Sequence, residues 1–111
     1  MNIIALKEYR DLAQHLADTL KPGEYNQNHF CFCFVGHIRR ISGEIGWVYK
    51  LFKECDLSND ETVYITSFEW TIKDAAKTLN LPTPTDFTAK GLVERIDNII
   101  GLHEGESTPE A

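Results

Sequence analysis

The apolar residues of this chain recur every three or four positions, and that beat restricts the fold more than any other feature. Leu6, Tyr9, Ala13, Leu16, Ala17 and Leu20 draw one stripe, widened by Leu12. The spacing predicts an amphipathic helix over about 3–21. Lys21-Pro22-Gly23 ends it, because proline breaks the backbone ladder and glycine supplies a turn. Phe30-Cys31-Phe32-Cys33-Phe34-Val35 is the densest apolar run. Its own period does not separate a buried strand from a buried helix, but Phe34, Ile38, Ile41 and Ile45 continue at helical spacing. Ser42-Gly43 predicts a break. A further helix from about Glu44 to Cys55 follows, with Ile45, Val48, Phe52 and Cys55 on its stripe and Trp47 and Tyr49 off it.

Beyond the polar turn Asp56–Glu61, the β-branched and aromatic run Thr62-Val63-Tyr64-Ile65 reads as a short extended stretch. It has no strand partner and cannot anchor a sheet. Thr66-Ser67-Phe68-Glu69 fits a capping box, with Ile65 and Trp70 placed as a hydrophobic staple. Phe68, Ile72, Ala75, Ala76 and Leu79 then form one face, closed by Asn80-Leu81-Pro82. After the stiff Pro82-Thr83-Pro84-Thr85 linker, Asp86–Thr88 offers capping oxygens. Ala89, Leu92, Val93, Ile96, Ile99 and Ile100 line the last helix, with Gly101 placed as its C-terminal cap. The expected architecture is all-α, an irregular bundle of about five helices with at most one short extended segment. It forms a single domain over residues 1–102, and 103–111 is expected to be a disordered acidic tail.

The 111 residues fit one domain. No apolar stretch is long enough to span a membrane, and Met1–Glu8 does not read as a signal peptide. Three cysteines make a poor disulfide framework, so a reducing, cytoplasmic setting is expected. The net charge of −6 falls entirely in residues 57–111, where ten Asp/Glu face four Lys/Arg. That disfavours direct binding to a phosphate backbone and suits a basic protein partner.

Two stretches carry a resemblance. Leu20-Lys21-Pro22-Gly23-Glu24-Tyr25-Asn26-Gln27 follows the first helix, and Cys33-Phe34-Val35-Gly36-His37-Ile38 opens the next. Their order resembles a family of small bacterial and phage proteins with a Pro-Gly-x-aromatic-x-Gln turn, a Cys-x-x-Gly-Ala-apolar helix start and a short closing helix. His37 departs from the alanine of that pattern, and the loop before the cysteine is compact. The resemblance implies a helical fold and supplies no activity to carry over.

His29, Cys31, Cys33 and His37 place four metal-ligand types within nine residues. A strand would spread residues 29 and 37 over ~26 Å, and a helix would turn Cys31 away from the other three. Neither builds the tetrahedron zinc wants. Cysteines between phenylalanines read as core, where burial makes a thiol inert. No metal, cofactor or catalytic constellation is therefore expected. The alternative is a small metal- or thiol-dependent enzyme using His29, Cys33 and His37. A second alternative is nucleic-acid binding through Arg39, Arg40, Lys50 and Lys53. The leading expectation is a protein-interaction module, a bacterial or phage accessory protein with an inhibitory version among its readings, acting on a partner or as a homodimer. Trp47, Tyr49 and Trp70 are its candidate anchors, and Glu69, Asp74, Glu94 and Asp97 its candidate acidic contacts.

Overall fold

The computed structural model describes residues 1–21, 23–28 and 46–106, with no side chain described at 46–49, 105 or 106. Among these residues the chain is helical: α1 (Ile3–Thr19), α2 (Gly46–Glu54), α3 (Asn59–Thr66), α4 (Glu69–Thr78) and α5 (Ala89–Glu106). The helix expected around 34–41 lies outside the described residues.

The two longest stripes in the sequence meet. α1 packs along α5, α3 pairs with α4, α2 leans on α1, and α3 touches α5. Leu6 and Leu16 from α1 and Leu92, Ile96 and Ile99 from α5 are no more than 1% exposed in one shared core. Tyr9 and Phe52 bring α1 and α2 together, their ring centroids 5.4 Å apart. Arg10 grips Asp97 across the α1–α5 seam, with Nε 3.0 Å from Oδ1 and Nη2 3.3 Å from Oδ2.

The helix ends follow local chemistry. Asn2 Oδ1 accepts from the Ala5 N–H at the start of α1. α4 closes in a Schellman arrangement: Leu81 N–H donates to the Ala76 carbonyl and Asn80 N–H to that of Lys77. Asn80 takes φ +59°, a left-handed conformation that asparagine tolerates. Thr88 caps α5, its Oγ1 accepting from the Gly91 N–H.

Four expectations are corrected. Residues 62–65 are helical, not extended. Ser58 and Glu61 form the reciprocal capping box, Glu61 N–H to Ser58 Oγ at 3.2 Å and Ser58 N–H to Glu61 Oε1 at 2.9 Å. The resulting α3 buries Tyr64 and Ile65 completely, and that packing overrides β-propensity. The capping box expected at Thr66 is absent because α3 runs through that residue, whose hydroxyl donates back to the Thr62 carbonyl. α4 starts instead after Phe68, which supplies no side-chain cap. Nor do Ile65 and Trp70 form a staple, since Ile65 is buried and Trp70 is 65% exposed. Finally, α5 does not stop at Gly101. It continues to Glu106, tied by a His103 Nε2–Glu61 Oε2 contact and a 3.9 Å Lys7–Glu104 pair.

Candidate interaction surface

Phe68 and Trp70 stand at the start of α4 with their rings stacked, centroids 5.1 Å apart and planes 18° from parallel. Phe68 is 46% and Trp70 65% exposed. α4 buries Ile72, Ala75 and Ala76, so helical geometry turns Trp70, Lys73, Asp74 and Lys77 outward at i, i+3, i+4 and i+7. All four are exposed. Lys73 lies 5.7 Å from the centroid of the Phe87 ring, a cation–π contact.

The platform is positioned from a distance. With no side-chain cap of its own, the α4 N-terminus is served by Asn28: Asn28 Oδ1 accepts from Glu69 N–H at 3.1 Å, and Asn28 Nδ2 donates to Glu69 Oε1 at 3.2 Å. Next to it, Gln27 Nε2 donates to the Ser67 carbonyl. Gln27 Oε1 accepts from Tyr25 Oη at 2.7 Å and from Arg95 Nη2 at 2.7 Å. Arg95, 1% exposed, also donates to the carbonyls of Ile65 at 3.2 Å and Asp86 at 3.4 Å. One buried guanidinium thus joins the first loop, the end of α3 and the strap before α5. Burial pushes its pKa down, against the influence of Tyr25, Tyr64 and Asp86.

The expected acidic contacts separate under this geometry. Asp97 is engaged by Arg10, and Glu69 by Asn28. Asp74 and Glu94 are exposed, Asp74 on the Trp70 face and Glu94 on the rim of a cleft between the Pro82–Asp86 strap and α5. Trp47 and Tyr49 lie on α2, their side chains outside the description. His29, Cys31, Cys33, His37, Arg39 and Arg40 also lie outside the described residues, while Lys50 and Lys53 are exposed on α2. Among the described residues no group of three or more His, Cys, Asp or Glu is arranged to hold a metal. Cys55 is fully buried, and burial, followed by the nearby Glu54, pushes its thiol up to about 11. Such a group is a poor nucleophile at neutral pH. No described helix is long and apolar enough to cross a membrane.

Phe68, expected on the same helix face as Ile72, Ala75 and Ala76, is instead the exposed residue that precedes α4. Gln27 and Arg95 were not singled out from the sequence. Arg95 left a signal there, because it falls three residues after Leu92 and four before Ile99, on the stripe meant for the core. Gln27 left none beyond its place in the turn motif. Compared with protein-family models, curated proteins and solved structures, the chain matches none.

Proposed function

We propose that this chain is a protein-interaction module that docks on a partner protein through Phe68 and Trp70. The observation that supports it is the stacked pair itself: two large aromatics kept out of the core and held side by side at a helix end fixed by Asn28. Tryptophan dominates interface energetics when a partner desolvates it, and a pre-stacked pair loses little side-chain freedom on docking. Single exposed apolar residues are ordinary, but a paired, ordered platform calls for an occupant. The acidic excess of residues 57–111 favours a partner of basic character, steered by the long-range charge and anchored by the rings, with Lys73 and Lys77 on the Trp70 face calling for an acidic spot on that partner.

Capture from the host of origin, wild type against Trp70→Ala, tests this reading. A specific protein retained by the wild type and lost with Trp70→Ala, while helix content is unchanged, is the expected result. Identical capture by both forms would contradict it. A solution mass that doubles for the wild type and not for Trp70→Ala would make the partner a second copy of this chain.

A further inference from the structure

The cleft between the Pro82–Asp86 strap and α5 encloses about 160 Å³. That is below the ~300–1,000 Å³ of sites for drug-sized ligands and suits a few heavy atoms. Its inner wall includes Arg95, and its exposed rim includes Glu94. Among the described residues Arg95 has hydrogen bonds but no ion pair: every described oxygen that accepts from its guanidinium belongs to a carbonyl, an amide or a phenol. No described carboxylate forms a salt bridge with it within 4 Å. Its Nε–H is buried without an acceptor among the described residues. Asp86 is a nearby carboxylate that acts on Arg95 without reaching contact distance. A buried cation so incompletely compensated is disfavoured, and an orphaned charged donor beside a cavity marks where an anionic group would be held.

The cleft also tells which anion. Glu94 would repel a bare anion and attract a cation held beside it. We propose that the cleft binds a small zwitterion of the α-amino-acid class, its carboxylate on the Arg95 guanidinium and its ammonium on the Glu94 carboxylate. The Asp86 carbonyl, at 3.4 Å the longest of Arg95's contacts, yields to the incoming carboxylate. Pro82 and Pro84 give the cleft apolar walls, and Tyr64, whose hydroxyl accepts from Asn98 Nδ2, lines it beside Arg95.

The test is titration of the full chain with glycine, alanine, acetate and inorganic phosphate, followed residue by residue through its amide NMR signals. Saturable shifts with glycine and alanine confined to residues 82–98 are expected. Glu94→Gln, a surface change, should weaken glycine about twofold to fivefold and leave acetate no weaker. Arg95→Lys should abolish both responses, and if that variant does not fold, Glu94→Gln decides. Absence of saturable shifts with either amino acid overturns the assignment. So does phosphate or acetate binding as tightly as glycine with Glu94→Gln indifferent, which would mark a general anion site. Trp70→Ala leaves this response intact, so its failure is distinguishable from that of the docking surface.

Discussion

Arg95 and Gln27 are 68 residues apart in the chain, yet Arg95 Nη2 stands 2.7 Å from Gln27 Oε1 in a buried contact. The amide oxygen faces the guanidinium, and the amide nitrogen carries the tie on to Ser67 at the α3–α4 junction. Gln27 is therefore a relay between the buried charge and the segment that presents the aromatic pair.

Gln27→Ala removes an acceptor from a buried cation. Hydrogen bonds to charged groups are worth about 1.5–3 kcal/mol, and a loss of that size in urea unfolding is expected. A loss below about 0.5 kcal/mol would mean the relay is ornamental.

Gly91 and Gly101 share α5 and respond oppositely to alanine. A Cβ at Gly91 would stand 1.9 Å from the Asp86 carbonyl oxygen, a backbone atom, whereas one at Gly101 meets nothing within 4 Å. Gly101→Ala should stabilise by about 0.5–1 kcal/mol through helix propensity. Gly91→Ala should destabilise despite the same propensity gain, because the strap must move. Thermal unfolding of both variants gives the two signs.

Glu61 makes stability depend on pH on the acid side. Burial acts to raise its pKa, but the hydrogen bonds from the Ser58 backbone and side chain and from His103 outweigh it and hold the carboxyl below its ordinary value. The unfolded carboxyl titrates near ~4.3, so the native state binds fewer protons between the two values and stability rises with pH there. The contribution is fully present above about 4.3 and disappears as pH falls through the lower folded value. The stability gap between wild type and Glu61→Gln should therefore narrow on acidification below about pH 4.3. A gap that holds unchanged into strong acid would contradict it.

Asn28→Ala tests the cap supplied from outside α4. Loss of a helix cap costs about 0.5–2 kcal/mol. The amide of Glu69 should exchange with solvent faster in the variant, while α1 amides keep their protection. Unchanged exchange at Glu69 would deny Asn28 that role.

The helices were legible wherever one stripe of apolar residues had to be buried, as in α1 and α5, because period alone decides that. Capping was less so: Ser58-x-x-Glu61 and Thr66-x-x-Glu69 satisfy the same pattern, and only the burial of Tyr64 and Ile65 on α3 selects the first. The role of Asn28 was hidden because its partner is 41 residues away. Trp70 was a named anchor, but its expected staple with Ile65 depended on the wrong helix start. Trp70 stands two residues before Ile72, opposite the buried face of α4, and that phase turns its ring to solvent beside Phe68. Gly101 read as a stop because glycine favours caps. The Glu61–His103 and Lys7–Glu104 contacts carry α5 past it, and both are tertiary.

The proposed docking rests on Trp70 lying outside the packed interior, and urea unfolding of Trp70→Ala measures that directly. A surface residue should change stability by no more than about 0.5 kcal/mol, against a loss of about 2–5 kcal/mol for the buried Leu92→Ala. A loss of about 3–5 kcal/mol for Trp70→Ala, the mark of a buried tryptophan, would put the ring in the core and contradict the account.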